Sequence, residues 1–309
     1  MADYPLISVI VLSFKSATTV RATLESIRQQ DYPGPVELVI TDDASPDDSV
    51  AVIQEWIAQK GSYFSSCELL TAGENGGVVH SLNKACRRAL GEWIKVIAGD
   101  DILATHALTS LYTYATEGDT PKAFVSTAVQ TFCKDEELAH PENLPVMLGK
   151  KDMVIGLDDV LKKPLFFLPA PSFFLNHDVL RKIGYYPTLL RNVEDMPLMH
   201  TLLSRGYKLY HKKNPTVFYR VHDASITKAK GHLFLLQQQC TTFDTLLMPC
   251  FDRFKRFYLN LYLCPIRYMI RTNNQCRGRF KLLKLVTKIV RNTYRVLFWP
   301  VLSRPTKFP

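Results

Sequence analysis

The hydrophobic positions in the first hundred residues change period several times. Short apolar, β-branched runs at 7–12, 36–41, 67–71 and 93–98 alternate with segments in which apolar residues recur every three or four positions. Those segments carry Val20, Leu24 and Ile27, then Val50, Ile53 and Ile57, then Leu82, Ala85 and Ala89. Strand-like runs separated by helical periods predict a mostly parallel sheet with crossover helices, an α/β fold. Ser45-Pro46-Asp47-Asp48 predicts a helix start, with a capping hydroxyl, a proline for the first turn and acids at the positive dipole end. The loop at 41–46 therefore lies at the carboxyl end of a strand. Ligands of open α/β sheets sit outside those ends, so Ser13, Asp42, Asp43, Asp100 and Asp101 are expected to face one crevice.

Further along, a strand is expected near 123–130, and the mixture of charge, Pro and Gly over 131–163 reads as loops with short helices, a candidate acceptor-binding lid. Helical patterns return at 178–183 and 195–205, the second closed by Gly206, with strand-like segments at 207–210 and 216–221. Beyond about residue 230 the chain is helical and basic. With 309 residues and 47% hydrophobic content, one large domain with an appendage is expected. The expected boundaries are 1–230 for the domain, with an internal division at about 130, and 231–309 for the basic segment.

The apolar run at 6–14 follows Asp3, has no basic leader and reads as a strand rather than a signal peptide. No stretch approaches the ~18 uninterrupted apolar residues of a spanning helix. The seven cysteines show no C-x-x-C spacing, which argues against a zinc site or a disulfide framework and for a reducing compartment. The net charge of +9 is unevenly placed: residues 245–309 hold 14 Lys or Arg and one acid, Asp252, leaving 24 bases and 28 acids elsewhere. An acidic metal-gripping domain joined to a basic segment that faces an anionic surface would be so divided.

Asp42-Asp43 and Asp100-Asp101 each end a predicted strand. Asp also opens turns, so either pair alone carries little. Together, hard oxygen ligands beside a diphosphate suit Mn²⁺ or Mg²⁺. Asn75-Gly76-Gly77 precedes a helix and is either a place where backbone N–H groups approach phosphate or a plain loop. Glu194-Asp195 taken alone is an acidic helix N-terminus favoured by the macrodipole. His222, after a strand, is a metal ligand or a structural histidine; the other histidines have no coordinating spacing.

The chain resembles the family 2 glycosyltransferases through Ser8-Val9-Ile10-Val11-Leu12-Ser13-Phe14, residues 26–30, Asp42-Asp43-Ala44-Ser45, Asn75-Gly76-Gly77 and Gly91-Glu92-Trp93-Ile94 leading to Gly99-Asp100-Asp101. Glu194-Asp195, Arg205-Gly206-Tyr207 and Tyr219-Arg220-Val221-His222 continue the order, with Ser225 beyond, over about residues 5–227. The resemblance implies a GT-A fold, Rossmann-like with flanking helices, a nucleotide-sugar donor with a mild preference for UDP, a divalent cation, and single displacement with inversion. It implies that Phe14 stacks on the base with Ser13 beside it, while Asp43, helped by Asp42, accepts from the base. A core aromatic is the other reading of Phe14. It further implies Asp101 as metal ligand, Asp100 on ribose or sugar, His222 as a second ligand, Asp195 as general base and Glu194 as the group that orients Asp195 or the acceptor. Leu82 stands where the family often has Arg, so Lys84 is the substitute cation for the donor.

The expected activity is transfer from a nucleoside-diphosphate sugar to a hydroxyl of a saccharide or lipid-linked saccharide, as in cell-surface polysaccharide synthesis. The expected place is the cytoplasmic side, peripheral on the inner face of the membrane. Acceptor selection is expected from 131–163 and from Phe166, Phe167, Phe173, Phe174, Tyr185 and Tyr186, though such rings are mostly core. Lys281, Lys284, Lys288, Arg291 and Arg295 recur at three- and four-residue steps, so 281–299, with Phe298 and Trp299, is expected either to meet an anionic membrane surface or to be a solvated face. No nucleic-acid module accompanies the basic stretch. A sugar-1-phosphate nucleotidyltransferase, which needs a Gly-rich N-terminal loop that Ser13-Phe14-Lys15-Ser16 does not supply, and a non-catalytic protein acting through its tail are the alternatives.

Overall fold

The early changes of period resolve into strands β1 (Ile7–Ser13), β2 (Val36–Asp42), β3 (Ser66–Thr71) and β4 (Trp93–Ala98) and helices α1 (Val20–Arg28), α2 (Ser49–Lys60) and α3 (Val78–Arg88). This computed structural model describes residues 4–306 apart from 148–150, 165, 167, 169, 223–225 and 273–276. Phe167 and Ser225 lie outside the described residues, as do the side chains of Lys281 and Trp299. β1 pairs in parallel with β2 and β4, opposing Ser13 to Asp42 and Leu12 to Ala98. Nearly every residue of β1, β2 and β4 is buried, as continuous apolar runs covered on both faces must be.

The chain goes on through β5 (Ile102–Leu103), α4 (Ala107–Thr116), β6 (Phe124–Phe132), β7 (Met153–Ile155), β8 (Phe174–Asn176), α5 (His177–Lys182), α6 (Asp195–Ser204) and β9 (Leu209–Arg220). The strand order is β3-β2-β1-β4-β8-β6-β9-β5, with β7 also paired to β9. The chain runs from β1 outward to β2 and β3 on one side and then crosses back through α3 to β4 on the other, which makes the β1/β4 boundary the topological switch point. The two strand-like runs expected at 207–210 and 216–221 form the single strand β9. It contains Pro215, and the β6 register jumps there from Thr127↔Lys212 to Val129↔Val217, an irregularity that takes the proline out of the ladder. α2 begins at Ser49, later than its apparent start signal, because the Ser45 hydroxyl is engaged elsewhere and Asp47 bonds the N–H and hydroxyl of Ser49.

Two compact units are present: residues 1–154, 168–198 and 208–222 form one, and 155–167, 199–207 and 223–309 the other. The first holds the sheet and a core in which Trp93 stacks on Phe174 at 5.0 Å. The second contains α7 (Ile226–Thr242), α8 (Arg253–Arg271) and α9 (Arg277–Leu302). Asp252, the one acid of the basic tail, caps α8 by accepting from the N–H groups of Phe254 and Lys255. The buried Lys255 ammonium is satisfied by Asp158 at 2.9 Å, the Thr306 hydroxyl at 2.8 Å and the Arg304 carbonyl. Among the described residues no helix is long and apolar enough to cross a membrane.

Candidate active site

The site begins where β1 ends. Phe14 is 46% exposed, which excludes the core reading, and the Lys15 ammonium lies 5.4 Å from its ring centroid. Lys15 and Ala44 both adopt left-handed backbone, at φ 55° and 58°, a strain of about 1–3 kcal/mol each that surrounding bonds must hold. The Lys15 N–H donates to the Ser45 hydroxyl, and Asp42, 1% exposed, accepts from the Ser13 hydroxyl at 2.7 Å and from the Ser45 N–H and hydroxyl at 2.8 and 2.7 Å. Asp42 is thus a clasp joining the β1 and β2 edges.

Asp43 has a similar interior occupation. Its carboxylate accepts from the N–H groups of Gly76 and Gly77, both at 2.8 Å, and from the Ser81 hydroxyl at 3.0 Å. The amides that the glycines offered to phosphate are therefore donated to Asp43 in this structure. Gly77 has φ 88°, and a Cβ there would stand 2.5 Å from the Arg191 side chain and 2.9 Å from its carbonyl. Glycine is required because the 191–192 segment packs directly on this turn, with the Val79 N–H donating to the Arg191 carbonyl at 3.2 Å. Arg191 donates in return to the backbone carbonyl and side chain of Asn75. Lys84, expected to face the donor, donates to the Thr71 carbonyl at 2.8 Å.

That packing carries the next acid pair. Two residues beyond Asn192, Glu194 is half-buried and Asp195 opens α6 with 8% exposure, its carboxylate accepting its neighbour Met196's N–H at 2.7 Å. Burial raises both acids, Asp195 to about 6, and the Asp195 charge raises Glu194 further. A carboxylate held near neutrality, ionised but still basic, suits proton abstraction. Of the aromatics considered for acceptor selection, Phe166, Phe173, Phe174 and Tyr186 are buried, whereas Tyr185 is partly exposed under Arg87.

Beyond β4 the two aspartates separate by environment. The Asp100 carboxylate is part-exposed and lies 3.0 Å from Nε2 of His222, which follows the end of β9. Asp101 is fully buried: one oxygen accepts the Arg220 N–H at 2.9 Å and the other has no hydrogen-bond partner. Burial, then the charge of Asp100, pushes Asp101 well above the ordinary carboxylate range, opposed by the Arg220 N–H and by Lys95. Of the two, Asp100 is the accessible carboxylate and stands with the imidazole, while Asp101, expected as the metal ligand, is the buried one. The Asp100 carboxylate is a hard oxygen donor of the kind Mn²⁺ and Mg²⁺ take, and the His222 imidazole beside it is a nitrogen donor that Mg²⁺ disfavours. Among the described residues no three His, Cys, Asp or Glu side chains form a metal-holding group by themselves.

Sequence reasoning gave no role to Arg220 or Lys95. Arg220 donates through Nε to the Asp100 carbonyl at 2.8 Å and through one terminal nitrogen to Asp135 at 2.6 Å, and covers Phe132 at 4.5 Å. It thus joins the Asp100 turn to the segment after β6. Lys95 lies fully buried on β4, donating to the carbonyls of Val96 and Pro171, and burial pulls its pKa down to about 7 against the pull of Asp101. A lone charge inside the apolar run at 93–98 was the available signal for Lys95; for Arg220 it was only a place in the 219–222 pattern.

The comparisons agree with this architecture. The profile described as Glycosyl transferase family 2 matches residues 8–184, more than half of the chain, so this chain belongs to glycosyl transferase family 2 and is a glycosyltransferase. A relative in Escherichia coli, the UDP-Glc:alpha-D-GlcNAc-diphosphoundecaprenol beta-1,3-glucosyltransferase WfaP, is 24% identical, over 73% of this chain and 81% of that protein. The GalNAc(5)-diNAcBac-PP-undecaprenol beta-1,3-glucosyltransferase of Campylobacter jejuni is 32% identical, but the match spans only 37% of this chain and 36% of that one. Two solved structures share the GT-A type fold. TarS 1-349 of Staphylococcus aureus in complex with UDP-GlcNAc has a TM-score of 0.59 at 15% identity, over 84% of this chain and 78% of that one. The mannosyltransferase PcManGT of Pyrobaculum calidifontis, in complex with GDP-Man and Mn²⁺, has a TM-score of 0.57 at 19% identity, over 97% and 84%.

Proposed function

We propose that the chain is an inverting, metal-dependent transferase that moves a sugar from a UDP-linked donor to a hydroxyl of a lipid-linked saccharide, in polysaccharide synthesis at the cytoplasmic face of a membrane. The observation that carries this reading is the Asp100–His222 pair at 3.0 Å, outside the carboxyl ends of the sheet that also presents the exposed ring of Phe14. Phe14 stacks on the base, and Asp43, with one of its oxygens taken by a single N–H, accepts from it. Asp100 and His222 would hold the cation, which would supply Lewis-acid stabilisation of negative charge on the leaving diphosphate. Asp101 supports the Asp100 turn from beneath.

Asp195 takes the proton of the acceptor hydroxyl while that oxygen bonds to the anomeric carbon, and the bond from that carbon to the diphosphate oxygen breaks on the opposite side. The nucleoside diphosphate leaves with the bonding pair, and no covalent enzyme intermediate forms. Glu194 orients the acceptor. Residues 1–130 serve the donor and 131–230 the acceptor, with 231–309 as the membrane-facing segment. Family membership sets aside the nucleotidyltransferase and the non-catalytic alternatives.

Calorimetry of UDP binding with Mn²⁺ and with chelator, on the native chain and on Asp100→Asn and Asp101→Asn, tests the donor site. The expected result is metal-dependent binding that falls at least about tenfold in Asp100→Asn and only a few-fold in Asp101→Asn, since the amide side chain of the latter variant keeps an acceptor oxygen for the Arg220 N–H. Binding of GDP or dTDP in place of UDP would change only the nucleotide. Binding of no nucleotide under any condition would overturn the donor reading.

A further inference from the structure

α9 carries an unusual division of its surface. Leu282, Leu285, Val286, Ile289, Val290 and Leu297 are between 42% and 69% exposed. At 3.6 residues per turn they occupy a single arc of about 140°. Another face packs on α8: Tyr294 meets Phe257 at 5.0 Å, Phe298 meets Phe254 at 5.6 Å, and Arg291 stacks on Tyr262 at 4.9 Å. On the remaining side Lys284, Lys288 and Arg295 are exposed. The helix is therefore satisfied along the face that meets α8, while a long apolar stripe and a cationic stripe remain without a partner element among the described residues.

The geometry points to α9 as an in-plane docking helix for an anionic lipid bilayer, its apolar stripe entering the acyl boundary and its cations reaching to headgroups along their aliphatic stems. Each competing occupant uses only half of what is presented. Nucleic acid would use the cations and leave the apolar arc in water. A second copy packed through the same arc would bury it, but would bring together two segments of net charge +13, counted over residues 245–309. An anionic membrane surface uses both stripes, and crossing is not needed, because no described helix is long and apolar enough to span. For its purpose the contact rests on the reading of a lipid-linked acceptor, which lies at such a surface.

The test is co-sedimentation of the full chain with vesicles of mixed phosphatidylglycerol and phosphatidylcholine and with phosphatidylcholine alone. Two double variants accompany it, Leu285→Ser with Ile289→Ser, and Lys284→Glu with Lys288→Glu, all at exposed positions whose change leaves the packed face intact. The expected result is binding to the mixed vesicles, much weaker binding to neutral ones, and a loss of about tenfold or more in each variant. Absence of binding to the mixed vesicles, or unaltered binding by the Leu285→Ser, Ile289→Ser variant, overturns the proposal. So does a dimer in light scattering that the same variant dissociates. UDP calorimetry on the native chain separates the two readings: absent vesicle binding with nucleotide binding kept refutes only the membrane contact, and the reverse refutes only the donor site.

Discussion

An aspartate in the first turn of a helix ordinarily gains from the macrodipole, and its pKa falls. Asp195 goes the other way because burial outweighs the helix end, lifting it from 3.8 to about 6. The sign follows from linkage: the folded state binds the proton more tightly than the unfolded one, so ionised Asp195 destabilises the fold, increasingly from pH 3.8 to about 6 and fully above. Asp195→Asn removes that penalty. Transfer should fall by roughly 10²–10⁴-fold with loss of the base, while thermal melts above neutrality should show the variant at least as stable as the native chain, its advantage vanishing near pH 4. A variant that keeps transfer activity refutes the base assignment; one that melts well below the native chain above neutrality refutes the burial argument. For the native enzyme the acidic limb of kcat/KM should fall near pH 6, and a limb near pH 4 would mean a base with an ordinary carboxylate environment.

At the scale of elements, the turn before α3 matters through what it lets approach. Gly77→Ala would place a methyl group 2.5 Å from Arg191 and force a left-handed alanine, displacing the 191–192 segment that leads into Glu194 and Asp195. A shift of about 1 Å at a reacting group costs up to about a hundredfold, so kcat should fall ten- to a hundredfold while the UDP dissociation constant changes less than about threefold. Equal loss in both would return the glycines to a phosphate-binding role. Arg220→Met should act differently, because it cuts the bonds to Asp135 and the Asp100 carbonyl: metal-dependent UDP binding weakens several-fold. If UDP binding is unchanged, Arg220 does not position Asp100. These two turns also mark the limit of what the chain reveals unaided. Strand and helix identities in the first hundred residues were legible because buried parallel strands must be continuous apolar runs. That Asp43 spends its oxygens on the amides of Gly76 and Gly77, or that Asp100 rather than Asp101 stays accessible, depends on long-range packing that leaves the local pattern unchanged. The late start of α2 has the same origin, since Ser45 is a good cap whose hydroxyl is taken by Asp42 from the preceding strand end.

Across the whole molecule the charge is segregated, with 245–309 at +13 and the rest at −4, and among the described residues it is the C-terminal portion that adds a long exposed apolar stripe to its cations. Attraction between a basic segment and an anionic surface is screened over a Debye length of about 8 Å at physiological ionic strength and about 3 Å at 1 M. Chemistry at a buried aspartate and a partly enclosed carboxylate–imidazole pair is screened far less. Salt should therefore separate the two. With a lipid-linked acceptor carried in anionic vesicles, the rate should drop severalfold as ionic strength rises from low values to about 0.5 M. With a short-chain, water-soluble analogue of the same acceptor it should hold within about twofold, because that reaction needs no docking. Lys284→Glu with Lys288→Glu should reproduce the high-salt rate at low salt on vesicles and leave the soluble reaction unchanged. Equal salt sensitivity with both acceptors would place the electrostatic dependence in the donor crevice and remove the catalytic significance of the basic tail.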